Sequence, residues 1–243
     1  MTETKLAFLW KYAKNKENNH KIKTSREEIP IAFKLIQLNL GEPKEFVWNN
    51  QHETSAIGKV KATEAFLSKA GFHYDGVANT KFHGGPDRAV CLYPYEHYTF
   101  WEKEFKQRLE FPGFGENITV SGMRENEIFI GDVFRLGEAV IEVSQGRVPC
   151  STISKHNGIK SLLKRVVETG YTGYFFRVIE EGAVTADANI TLLDRVQERF
   201  TILRGNQLFF HEQDNRIEIE EIVQLEALAH EWKERFNNVL DRQ

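Results

Sequence analysis

The sequence predicts a mainly β protein with peripheral helices (α+β), in which a closed or nearly closed barrel is followed by a small helical module. Three observations carry this. Short runs rich in β-branched and aromatic residues recur through residues 30–194, each cut off by glycine. Few long helical stretches interrupt them, and many short strands at close spacing favour a barrel. Beyond residue 195 the apolar period changes to three or four residues. The chain has 243 residues, of which 41% are hydrophobic and 28% charged. That is the composition of a globular protein, with a length suited to one domain plus an appendage.

Each element has its own warrant. Residues 1–29 are polar and rich in lysine, with one short apolar patch, which predicts an extension and not core. Strands are expected at 118–120 before Ser121-Gly122, at 128–130 before Gly131, at 139–143 after Gly137, and at 174–179 before Glu181-Gly182. After Pro94, the residues Tyr95, Tyr98, Trp101 and Phe105 fall at helical spacing and predict a buried aromatic stripe. A second helix is expected over 159–167, with Leu162, Leu163 and Val166 on one face. In the module at 195–243, Ile222, Leu225, Ala229, Trp232 and Phe236 form one recurring stripe.

Charge and composition exclude several classes. A net charge of -3 gives no reason to expect a nucleic-acid polymer as partner, so any bound anion must be met by local cations. The longest apolar runs fall far short of the roughly 20 residues of a membrane helix, so no membrane partner and a cytoplasmic location are expected. Two cysteines, Cys91 and Cys150, are too few for a disulfide framework. Walker loop, paired CxxC, HExxH and GxSxG patterns are all missing from the sequence, and Gly113-Phe114-Gly115 lacks the third glycine of a dinucleotide fingerprint.

The candidate site begins at Lys81-Phe82-His83-Gly84-Gly85-Pro86-Asp87-Arg88. A bare Gly-Gly-Pro is an ordinary turn, but Lys81, His83 and Arg88 crowd this one. Its glycines allow close backbone approach, while the side chains supply a switchable base, an anion and a permanent cation. A second loop, Phe111 to Asn117, offers more glycine and an amide that donates and accepts. The third segment is Ser144-Gln145-Gly146-Arg147-Val148-Pro149-Cys150. Cys91 lies in the apolar run 89–93 and reads as a buried small hydrophobe. Cys150 follows Arg147 in a loop, where a guanidinium favours the thiolate, the form that attacks electrophiles or ligates soft metals.

His83-Gly84-Gly85-Pro86-Asp87-Arg88-Ala89, Phe114-Gly115-Glu116-Asn117, Gly131-Asp132 and the segment 144–150 resemble the successive signatures of MOSC-domain proteins, in the YiiM-like branch. The resemblance runs from about residue 33 to 194, and residues 228–236 resemble the end of the three-helix module of that branch. It implies a MOSC-type β-barrel that binds the molybdenum cofactor (molybdopterin), with Cys150 as the protein ligand to molybdenum. It also implies reduction of N-hydroxylated compounds, including hydroxylaminopurine-type base analogues, as a detoxification that draws electrons from a reductase partner. On that reading Lys81, Arg88 and Arg147 are candidates for the cofactor phosphate, and Gly84, Gly85 and Asn117 for the pterin edge. His83 becomes the candidate proton donor or orienting group, with Asp87 behind it. Gly146 stands where that family usually has proline, which is expected to loosen the loop. The same residues also suit a non-enzymatic carrier of cofactor, or of sulfur on Cys150, and a barrel for some other phosphorylated ligand.

Overall fold

The computed structural model describes residues 32–78 and 84–242, so the extension expected at 1–29, Lys81 and His83 lie outside the described residues. The strands are β1 (Ala32–Leu40), β2 (Lys44–Trp48), β3 (Gln51–Ser55), β4 (Val60–Ala62), β5 (Glu64–Ser68), β6 (Gly71–Phe72), β7 (Val90–Pro94), β8 (Ile118–Ser121), β9 (Val133–Leu136), β10 (Ala139–Gly146), β11 (Tyr174–Glu180), β12 (Gly182–Thr185) and β13 (Asn189–Asp194). The main sheet runs β13-β9-β10-β11-β7-β8-β1, and β1 pairs back onto β13 with Phe33 opposite Ile190. The ring is closed. Strand β7 runs parallel to β8, and the other ring pairs are antiparallel.

Alternation explains why these segments are strands. Along β11, Tyr174, Phe176 and Val178 are buried and the residues between them are not, the period of two that a half-buried strand requires. Ile141 and Val143 of β10 and Phe134 and Leu136 of β9 fill the same interior. Each fully buried side chain of this size contributes about 1.5–3 kcal/mol relative to an exposed one.

The strand expected at 128–130 forms only a single bridge, Phe129 with Thr201. The Asp132 carboxylate accepts the Phe129 N–H at 2.9 Å and Gly131 has φ 91°, so the backbone turns before a ladder can extend.

The helices are α1 (Tyr95–Phe105), α2 (Thr152–Asn157), α3 (Leu162–Thr169), α4 (Ile202–Phe210), α5 (Arg216–Ile222) and α6 (His230–Leu240). Tyr98 and Trp101 of the aromatic stripe are buried, while Tyr95 faces outward. In α3, Leu162 and Val166 are buried, and the helix starts three residues later than expected because Ile159 caps the preceding turn through its carbonyl.

The C-terminal stripe is split. Residues 223–229 form a turn, pinned where the Ala229 N–H donates to the Ser144 carbonyl at 3.0 Å. Leu208, Ile219, Trp232 and Phe236 join the same apolar cluster as Ile130, Phe134 and Val143 of the barrel. The C-terminal helices α4 to α6 therefore share the barrel's core, whereas α1 to α3 bury Tyr98, Trp101, Ile153, Leu162 and Val166 in a second cluster. Among the described residues, no helix is long and apolar enough to cross a membrane.

Candidate ligand cavity

Strand pairing explains how distant segments meet at one end of the barrel. Gln145 of β10 lies opposite Phe175 of β11, and Phe175 opposite Cys91 of β7. The Cys91 carbonyl then accepts the Asn117 N–H at 2.8 Å, just before β8, and the Asn117 carbonyl accepts the Asn39 N–H of β1 at 2.7 Å. This row forms one wall of a cavity of about 810 Å³. Gly84, Gly85, Arg88, Asn117, Arg147 and Cys150 all line it. Asp87 does not.

Gly84 and Gly85 have φ of 86° and 96°, a backbone conformation that side-chain-bearing residues rarely adopt. A Cβ on Gly85 would meet nothing within 4 Å, so its glycine answers to backbone conformation and not to crowding. Residues Pro86–Arg88 follow as a 3-10 turn.

The charged groups differ in how far the protein has already engaged them. Arg88 donates from Nε to the Gly84 carbonyl at 2.7 Å and from Nη1 to Glu231 of α6 at 2.7 Å. Glu231 also pairs with Arg235 at 3.2 Å, and both line the cavity. Asp87 accepts from Arg177 Nε at 2.8 Å and from the His230 N–H, at the start of α6, at 3.0 Å. It is a latch between the glycine turn and the C-terminal helices.

Arg147 is different. Its N–H donates to the Gly173 carbonyl at 3.0 Å, and its Nη1 donates to the Phe114 carbonyl and sits 3.9 Å from Cys91 Sγ. Among the described residues no carboxylate pairs with it. Burial works against its charge, but Cys91, Cys150 and Glu116 nearby outweigh that, and its pKa moves up. The guanidinium stays charged.

Cys150 is half-buried, and its carbonyl accepts the Ile153 N–H at 3.3 Å as the chain enters α2. Cys91 is more than the core filler its apolar neighbours suggested, because it lines the same cavity. Burial pushes its thiol pKa up, against the nearby charge of Arg147. Asn117 is engaged on both side-chain ends: Oδ1 accepts the Cys91 N–H at 3.0 Å, and Nδ2 donates to Asp75 at 2.8 Å. Its side chain therefore orders the wall, and the second N–H of Nδ2 is a further donor on a cavity-lining residue.

Sequence reasoning missed Lys59, Asp75, Glu231 and Arg235. Lys59 and Asp75 form a buried ion pair on the wall, with Asp75 also accepting the Gly41 N–H at 2.9 Å. No motif marks Lys59. The i, i+4 spacing of Glu231 and Arg235 on α6 was the one visible signal for the other two.

Gly146 is also not the loose point its place in the family pattern suggested. A Cβ there would stand 2.0 Å from Asn206 Oδ1 and 2.9 Å from the Trp232 ring, so glycine is what lets α4 and α6 close against β10. Among the described residues, no three His, Cys, Asp or Glu side chains cluster as a metal site.

The fold is a closed β-barrel with a cavity at one end, on whose wall a thiol, a guanidinium and glycine backbone meet. Comparisons with known proteins agree on its class. Residues 79–191 match the MOSC domain, and residues 201–242 match the YiiM-like 3-alpha helix domain. An uncharacterized protein of Bacillus subtilis, YflK, is 42% identical over 86% of this chain and 96% of its own. The crystal structure of YiiM from Geobacillus stearothermophilus superposes with a TM-score of 0.73 at 30% identity, covering 86% of this chain and 99% of that one. A protein of Gibberella moniliformis named Reductase is 32% identical over 70% of this chain, which spans 31% of that protein. The chain belongs to the MOSC-domain proteins, in the YiiM-like branch that carries the three-helix domain.

Proposed function

We propose that this chain binds the molybdenum cofactor and reduces N-hydroxylated compounds, such as hydroxylaminopurine-type bases, with electrons from a reductase partner in the cytoplasm. The observation that carries the proposal is the cavity wall on which Cys150 lies three residues from Arg147, a guanidinium left without a carboxylate partner among the described residues. The cavity fits the cofactor on three further counts. Its volume, about 810 Å³, suits a ligand of that size. The positive-φ backbone at Gly84 and Gly85 permits close approach. On the wall, Gln145 is 2% exposed, and its Oε1 has no donor among the described residues, an acceptor that a pterin N–H or a bound water can satisfy.

In this reading Cys150 ligates the metal and Arg147 meets the phosphate. Arg88, shared with Glu231, contributes less. The cofactor supplies a two-electron change of oxidation state at its metal. The protein's part is to hold that group, exclude bulk water and deliver protons. Lys81 and His83 belong to the proposal as a further phosphate contact and a proton donor. The reductase-named relative supports the redox class and the need for an electron donor.

The test is direct. Protein from a cofactor-competent host should contain molybdenum and pterin and should turn over hydroxylaminopurine when a reductase is added. Arg147→Ala should lower cofactor affinity roughly ten- to hundredfold, the loss of a charge-assisted hydrogen bond of about 1.5–3 kcal/mol, and lysine should rescue poorly because it lacks the fork. Full metal loading with no turnover by any reductase would make the chain a carrier.

A further inference from the structure

Lys59 is an ammonium that the reading of the cavity given above leaves unused. Its side chain is 4% exposed, yet it lines the cavity. Its partner Asp75 is held on three sides, by Lys59, by the Gly41 N–H at 2.9 Å and by Asn117 Nδ2 at 2.8 Å. Asp75 is therefore satisfied. Lys59 is not: among the described residues its Nζ bonds only to Asp75, so an ammonium has further hydrogens to give.

The pair is neutral as a whole, and a phosphate placed against Lys59 would also face the Asp75 carboxylate. Arg147, with no such carboxylate, is the better seat for an anion. What suits a neutral ion pair is a neutral polar group with a lone pair. The Cys91 thiol, whose pKa burial raises, also feels the charges of Arg147 and of the Lys59–Asp75 pair, so all three border the same stretch of wall.

We propose that Lys59 donates the proton that the departing oxygen of the substrate takes, and that Asp75, fixed by Asn117 and Gly41, positions it. This rests on the N-hydroxylated-substrate reading above. The reaction is R–NH–OH + 2 e⁻ + 2 H⁺ → R–NH₂ + H₂O, with both electrons coming from the reductase partner. The N–O bond breaks and the oxygen leaves as water with the Lys59 proton. The nitrogen takes the second proton from solvent, and the Lys59 amine is recharged from solvent.

The experiment uses the oxidised, cofactor-loaded chain without electron donor, so that binding is read apart from turnover. Wild type should bind hydroxylaminopurine at least about 10-fold more tightly than adenine, which lacks the oxygen. Lys59→Met should erase that preference and leave adenine affinity and pterin content unchanged. Because Lys59→Met strands a buried carboxylate, the same is measured in the Lys59→Met, Asp75→Asn double variant. With the reductase added, Lys59→Ala should lose roughly 100-fold in turnover, and methylammonium should restore part of it where tetramethylammonium does not.

A retained preference in the double variant overturns the role of Lys59 and leaves the substrate reading standing, as does loss of pterin, which would make Lys59 a cofactor anchor. A wild type that binds neither base overturns the substrate reading and this role together.

Discussion

Cys150 and Cys91 border one cavity, the first half-buried and the second buried. If Cys150 ligates the metal as proposed, Cys150→Ser replaces a soft ligand with a hard hydroxyl, and reductive turnover should vanish while some cofactor still co-purifies. Cys91→Ser puts a hydroxyl on a buried wall beside Arg147 and should cost on the order of 1–3 kcal/mol of stability, read by denaturant unfolding. Full turnover by Cys150→Ser at matched folded concentration would remove that thiol from the chemistry.

Glu116 is the second residue with a consequence. It is buried and accepts from Tyr98 Oη at 2.6 Å, Thr119 Oγ1 at 2.9 Å and the Phe114 N–H at 3.1 Å, holding the loop whose carbonyl engages Arg147. Burial raises its pKa above the ordinary 4.5, against the hydrogen bonds that oppose it. The folded chain then binds this proton more tightly than the unfolded chain does. Its stabilising share is complete below about pH 4.5 and is lost as pH rises through the folded value. Glu116→Gln cannot titrate, and with its amide oxygen toward the Phe114 N–H it presents a donor where the Tyr98 and Thr119 hydroxyls now donate. It should be the less stable protein at pH 4, with the gap narrowing as pH rises by at most about 1.4 kcal/mol per unit. Thermal unfolding of both proteins across pH checks the sign, and a gap that widens with pH would refute it.

At the scale of elements, the closest approach in the molecule that bears on the site lies between β10 and the helices α4 and α6. Asn206 Nδ2 bonds the Gly170 carbonyl at 2.8 Å and Thr172 Oγ1 at 2.9 Å, so Asn206 cannot swing aside cheaply when a Cβ appears at Gly146. Gly146→Ala should therefore cost about 1–3 kcal/mol or more by overpacking, and the displaced α6 should carry Glu231 away from Arg88. Urea unfolding reads the first effect. The second appears as faster hydrogen exchange at the His230 N–H, whose acceptor is Asp87.

At the scale of the whole molecule, the C-terminal helices complete the barrel in two ways. Ile202, Leu208, Ile222 and Trp232 bury against barrel side chains, and Glu231 and Arg235 form part of the cavity wall. Truncation after Asp194 should therefore expose Ile130 and Val143, both wholly buried in the intact chain, and give an aggregating or molten protein. Circular dichroism and gel filtration of the truncated chain test this. A monodisperse, cooperatively melting product would show that the barrel stands alone.

Period and punctuation determined much of this protein by sequence alone. The alternation along β11, the aromatic spacing of α1 and the glycines after β1, β8 and β9 depend on neighbours within a few residues, and such neighbours are visible in a linear chain. The glycine turn and the segment ending at Cys150 were legible for the same reason, since their chemistry is packed into consecutive positions. What only the tertiary structure decided were pairings between residues far apart in the chain. Asp87 and Arg88 sit in the motif, yet their partners, the His230 N–H and Glu231, arrive from the last helix. Lys59 carries no motif, and becomes part of the cavity only because Asp75, Gly41 and Asn117 are folded around it. Local residue order fixes conformational preference over a few residues. Which charges are neutralised and which stay available depends on contacts the closed barrel makes, and no local pattern encodes those.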